Sequence, residues 1–146
     1  MIVFNNNDLQ NFERINGIIH APSGDYSQIK NFGEEIIFSD NCKFGDNCKF
    51  GKLIFFHGSC IFGEKCIFEN KHIAKAGHPL LTFGGFGSVS NVLYCFNCED
   101  GIFVRFGWFS GYIDEFNDYV HKKYIENIYE EYKLIIDFVK MKWYNK

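Results

Sequence analysis

The chain has 146 residues, with 15 Lys and Arg against 18 Asp and Glu and a net charge of −3. That balance excludes a broad basic groove for nucleic-acid phosphates, and no window approaches the roughly 18 consecutive apolar residues of a membrane helix. Phe, Tyr and Trp make up 19% of the residues, so rings that bury about 150–250 Å² each must fill much of any core.

The opening "MIVFNNNDLQ" lacks the basic start and apolar run of a signal peptide. The expectation is a cytoplasmic chain with neither membrane nor direct nucleic-acid partners. In that compartment the six cysteines read as free thiols rather than as a disulfide framework. The length fits one domain over 1–146, laid out as an N-terminal cap (1–30), repeats (32–73), strands (78–111) and helices (112–146).

In the cap, Asp8 is the expected N-cap of a short helix with Leu9, Phe12 and Ile15 on one face, ended by Gly17. "GIIHAPSGDY" then runs extended into a turn, because Pro22 disfavours helix before it and Ser23-Gly24-Asp25 is turn chemistry.

Residues 32–73 repeat every six positions as FGEEII, FSDNCK, FGDNCK, FGKLIF, FHGSCI, FGEKCI and FENKHI. The first column is Phe32, Phe38, Phe44, Phe50, Phe56, Phe62 and Phe68; the fifth is Ile36, Cys42, Cys48, Ile54, Cys60, Cys66 and His72. In extended chain, residues two apart share a side, so the fifth position of one unit and the first of the next both point inward. Phe38, Cys42, Phe44, Cys48, Phe50, Phe56, Cys60, Phe62, Cys66 and Phe68 are therefore the expected core, with small thiols alternating with large rings. The pattern resembles the hexapeptide rule of left-handed parallel β-helices, with Phe where Leu, Ile or Val usually stand. That resemblance implies a mainly β fold with some α: a short left-handed parallel β-helix of about two coils, three hexads to a coil. An N-terminal helix would cap it, and a C-terminal β-hairpin and two helices would follow. A period of six sets it apart from pentapeptide-repeat coils.

Three units per coil would put the sixth-column residues Ile37, Phe55 and Ile73 in one external apolar strip. Either the chain's own C-terminal half or a partner would cover it, and a second copy of the chain is one such partner.

Beyond residue 78, "LLTFGGFGSVSNVLYCFN" and "GIFVRFGWFSG" read as strands joined by "CEDG". Ile125, Ile128, Tyr129, Tyr132, Ile135, Ile136, Val139 and Trp143 then recur at three- and four-residue steps, the mark of a packed amphipathic helix. Trp108 and Tyr112 form an aromatic ridge and join Ile37, Phe55 and Ile73 as the candidate interaction surface.

Catalytic and metal signals are sparse. Cys95-x2-Cys98 is the one close Cys pair, and His72 and His78 would have to complete a zinc site. A thioredoxin-like site would need that pair at a helix start, whereas its neighbours are strand-like. His57 is the one candidate general base for acyl transfer, and "FGGFG" lacks the spacing of a phosphate loop and reads as a bend, with Ser88 and Ser90 beside it. Arg105 lies in an apolar strand on the same side as Phe103 and Gly107, with Asp114 or Glu115 as expected partners. The expectation is no cofactor, no metal and no catalytic residue.

The Cys-x-Phe-Gly hexads, followed by "GIFVRFGWFSGYIDEFNDYV", resemble a group of small phage- and prophage-encoded proteins. In these a Gly-Ile-Tyr-Val-Arg-like strand and an Asp-Glu-Phe helix follow a Cys-Ser-Phe-Gly-like run. Gly101, Ile102, Val104, Arg105, Gly107, Gly111, Asp114, Glu115 and Phe116 match, and Tyr112 stands where Thr would cap the helix. The resemblance implies a non-enzymatic protein that binds and inhibits a host defence complex, such as a CRISPR effector. Its partner would be a host protein or ribonucleoprotein in the bacterial cytoplasm. A hexapeptide-repeat acyltransferase or a small-ligand-binding oligomer is the alternative.

Overall fold

The computed structural model describes residues 1–84 and 92–144. Most of the expected bend after Phe83, with Ser88 and Ser90, lies outside the described residues. The chain divides into two compact units, Met1–Pro79 and Leu80–Lys146, near the residue where the sequence changes character.

The first unit opens with α1 (Asn6–Asn11). Asn5 Oδ1 accepts from the Asp8 N–H, and Asp8 Oδ2 accepts from the Asn5 N–H. This reciprocal box makes Asn5 the N-cap and moves Asp8 inside the first turn. The helix therefore starts and stops earlier than expected, and Ile15 enters β1 (Arg14–Ile15). Asn16 and Gly17 both have positive φ, 53° and 83°, the two-residue hairpin geometry. They return the chain antiparallel as β2 (Ile18–Ala21). Next to it lie β3 (Ile36–Phe38) and β4 (Ile54–Phe56), both in parallel register, in a sheet of order β1-β2-β3-β4.

The hexads pair in parallel at an offset of 18 residues: Ile36 with Ile54, and single bridges from Asp25 to Lys43, Asn31 to Lys49, Lys43 to Ile61 and Lys49 to Ile67. Rings follow the backbone. Phe32 stacks on Phe50 with centroids 4.9 Å apart, Phe38 on Phe56 at 5.7 Å, Phe44 on Phe62 at 5.2 Å and Phe50 on Phe68 at 5.5 Å. Rings six residues apart meet edge to face, as Phe38 and Phe44 do at 83°, so both geometries preferred by aromatic quadrupoles are used. Tyr26, six residues before Phe32, occupies the same column and stacks on Phe44 at 5.8 Å. Its hydroxyl donates to the Pro22 carbonyl, which lets a phenol be buried there.

The seventh hexad breaks away. Glu69 and Asn70 have φ of 53° and 64°, and they fold β6 (His72–Ile73) back antiparallel on β5 (Ile67–Phe68).

In the second unit β7 (Leu80–Phe83), β8 (Leu93–Cys98), β9 (Gly101–Phe106) and β10 (Phe109–Tyr112) form an antiparallel sheet of order β10-β9-β8-β7. α2 (Ile113–Lys123) and α3 (Glu126–Tyr144) follow. Leu93 and Cys95 from β8, and Ile102, Val104 and Phe106 from β9, share a core with the helix residues Phe116, Val120, Tyr132, Ile136 and Val139. Phe106 meets Phe116 at 5.7 Å and Tyr132 at 5.5 Å.

The expected left-handed parallel β-helix with a C-terminal hairpin is thus not the architecture. Among the described residues ten strands form three sheets, one mixed and two antiparallel, and three helices accompany them. The physical reason is local: the left-handed pairs Asn16-Gly17 and Glu69-Asn70 reverse the chain at both ends of the repeat, and beyond residue 80 four strands, not two, form a meander.

Each hexad turns at a residue in the left-handed region. Glu35, Asn41, Asn47, Leu53 and Lys65, all fourth in their units, have φ between 56° and 59°. In the fifth unit the positive φ moves to Gly58, where an added Cβ would sit 1.5 Å from Asp40 Oδ1. Leu53 is the unfavourable member, a branched apolar residue about half exposed at φ 56°. Asn tolerates that conformation, whereas most L-residues lose about 1–2 kcal/mol in it. Leu53→Asn is expected to raise stability by about 1 kcal/mol, seen as a higher urea midpoint. A lower midpoint would mean that Leu53 contributes packing instead.

Candidate functional site

Of the ten residues expected in the core, Phe62 is half-buried and the other nine are buried. The thiols there share one arrangement. Cys42 donates to the Ser39 carbonyl, Cys48 to Gly45, Cys60 to His57 and Cys66 to Gly63, each three residues back. A short side chain with a weak donor can thus fill the space beside a ring and still bond the inward carbonyl of the preceding turn. Across the 18-residue offset the Cys42 thiol lies against Cys60, and Cys48 against Cys66. That contact and burial push the Cys42 and Cys66 thiols up, while the same contact pulls Cys48 and Cys60 down. All six cysteines are free and buried.

The Cys95 and Cys98 pair cannot act as one chelate. Three residues apart on β8, they point to opposite faces; Cys95 joins the helix-facing core and Cys98 lies with Tyr94 and Phe96 on the other side. Burial raises both thiols to about 12, with Asp100 and Glu99 adding to the effect at Cys98. His72 is buried in β6 opposite Phe68, and His78 is exposed. Among the described residues no group of three or more His, Cys, Asp or Glu side chains could hold a metal ion. His57 is exposed, and its N–H donates to the Phe38 carbonyl.

Arg105 is buried in β9, paired across the strands with Tyr94. Its guanidinium lies 4.8 Å over the Tyr94 ring and 5.8 Å from the Phe96 ring, a cation–π arrangement. The carboxylates expected to pair with it are engaged elsewhere: Asp114 accepts from Lys140, and Glu115 accepts from the Tyr112 N–H at 2.9 Å.

The proposed surface residues divide. Ile37 and Phe55 are in register on neighbouring strands, with His20 next in the row. Ile73 is not in that row; the Glu69-Asn70 reversal sets it opposite Ile67. Trp108 projects from the β9–β10 turn at 104% relative exposure. Tyr112 caps α2 without a side-chain bond to the helix, because its phenol donates instead to Asp100 Oδ2 at 2.6 Å. The sequence reading missed Tyr26, since a tyrosine followed by Lys30 in the small-residue column hides the repeat. It also missed Leu134, Phe138 and Met141, exposed on the helix whose buried face it identified.

No family model, curated protein or solved structure matches the chain. No helix among the described residues is long and apolar enough to cross a membrane.

The Cys95 and Cys98 shifts set a pH dependence. Folding raises both from 9.0 to about 12, so between these values the native state holds more protons than the unfolded chain. Their stabilisation is complete below pH 9 and is lost as pH rises toward 12. Urea midpoints should fall across that window, and the fall should be shallower in the Cys95→Ala/Cys98→Ala chain. Equal slopes in the two chains would contradict the assignment.

Proposed function

We propose that the protein is a non-enzymatic binding protein of the phage type. It acts in the host bacterial cytoplasm by occupying the surface of a defence ribonucleoprotein such as a CRISPR effector. The supporting observation is Trp108, an indole held wholly in solvent at the tip of a hairpin whose first strand, β9, is almost entirely buried. Trp is the residue type most enriched at the energetic centre of protein interfaces, where its large ring is desolvated on binding. The hairpin presents it firmly, because Gly107 takes φ 57° to close the turn and Tyr112, at the far end of β10, is tied to Asp100. The Ile37–Phe55 row offers a second, smaller apolar contact on the other unit. The resemblance of the Cys-x-Phe-Gly hexads and the Gly-Ile-Phe-Val-Arg strand to phage proteins supports the choice of partner.

The test is plaquing of a targeted phage on hosts that each carry one defence complex. Expression of the protein should restore plaquing on at least one of them, and that complex should bind the purified protein. Trp108→Ala, which removes no buried contact, should weaken binding by about 2 kcal/mol, roughly 30-fold in Kd. Failure to restore plaquing on any of these hosts, or undiminished binding by the variant, would overturn the reading.

A further inference from the structure

α3 is apolar on two sides. One is the buried face of Tyr129, Tyr132, Ile135, Ile136, Val139 and Trp143. At 3.6 residues per turn, Leu134, Phe138 and Met141 fall together on the opposite side, and they are 70%, 43% and 58% exposed. Phe83 from β7 extends this stripe, its ring meeting Phe138 edge to face at 6.2 Å.

The charges beside the stripe are segregated along the helix. Glu130 and Glu131 stand in its first half and Lys142 in its second, while Lys140, nearer the buried face, is held by Asp114. Between them Lys133 and Asp137 neutralise each other one turn apart, at 3.0 Å. The helix macrodipole accounts for such a gradient on an isolated helix, but it leaves the apolar stripe unexplained. A second helix of the same sequence running antiparallel accounts for both. It covers Leu134, Phe138 and Met141 with the same three residues, sets the acidic half against the basic half, and opposes the two dipoles. Glu131 and Lys142 border the stripe on the same side, and antiparallel packing brings like borders together. Each Glu131 therefore meets Lys142 of the second copy.

We infer that the α3 face Leu134–Phe138–Met141 is a self-complementary surface on which a second copy of this chain docks antiparallel. The contact is isologous, as a two-fold dimer requires. It is also small, so the dimer is weak and reversible, with a Kd of about micromolar order.

Sedimentation equilibrium from about 1 μM to 1 mM tests it, with far-UV circular dichroism confirming that each variant is folded. The wild-type chain should pass from monomer to dimer as concentration rises. Phe138→Lys should weaken association at least about tenfold. Glu131→Lys and Lys142→Glu should each weaken it, and the chain carrying both should recover it, because each reversed charge then faces its new complement in the other copy. A wild-type chain monomeric throughout the range, a dimer indifferent to Phe138→Lys, or a double variant weaker than either single variant would each overturn the inference. Should Phe138→Lys fail to fold, the charge-swap series decides alone.

Discussion

Phe32 lies on Phe50, Phe50 on Phe68, and Phe38 on Phe56, each pair 18 residues apart and within 10° of parallel. The rest of the first unit follows from keeping those rings in register. Parallel strands stand about 4.8 Å apart, close to the separation at which aromatic faces make contact, so a ring repeated on every pass can stack without bending the backbone. The hexad spacing brings the chain back to the same side after three units, and a left-handed residue at the fourth position of most units makes the corner. The thiols fit the space that remains: a larger residue would displace a neighbouring ring, and alanine would leave the inward turn carbonyl without its bond from Sγ. Each stacked pair adds about 0.5–1.5 kcal/mol beyond its buried area, and losing one member exposes its neighbours on both sides.

The second unit depends on a different device. Its meander has helix-packed residues on one face and an aromatic row with Arg105 on the other. Arg105 sits among rings because a guanidinium is weakly hydrated and planar, and the faces of Tyr94 and Phe96 offer negative potential where it lies. α3 closes the helix-facing side with one half of its circumference and carries the exposed apolar stripe Leu134, Phe138 and Met141 among charges on the other.

Much of the core was legible in the sequence, because a phenylalanine every six residues is a strong periodic signal and burial follows periodicity. The pairing offset of 18 residues is the three-unit return implied by that period. The sheet architecture was not legible. Glu69 and Asn70 carry no glycine to announce a reversal, yet both adopt positive φ, and the chain turns back directly after Phe68, the last phenylalanine of the column. Tyr26 extends the column in the other direction without its Phe. Cys95 and Cys98 show why strand-like neighbours outweigh spacing: two residues between them suit a metal in a turn, but on a strand they part to opposite faces. Ile73 left the expected surface strip for the same reason that the fold was misjudged, whereas Ile37 and Phe55 lie before the reversal and stay in register. Trp108 was legible as a candidate because a tryptophan next to a turn glycine has little chance of burial.

The central claim is that stacked rings at the 18-residue offset hold the first unit together. A double-mutant cycle on Phe32 and Phe50, each replaced by Leu and followed by urea unfolding, tests it most directly. The stacked geometry at 4.9 Å predicts a coupling energy of about 0.5–1.5 kcal/mol. The same cycle on Phe32 and Phe106, which belong to different units, should give additive effects. Additive effects of Phe32→Leu and Phe50→Leu would contradict the account, since the two rings would then be buried side by side without depending on each other.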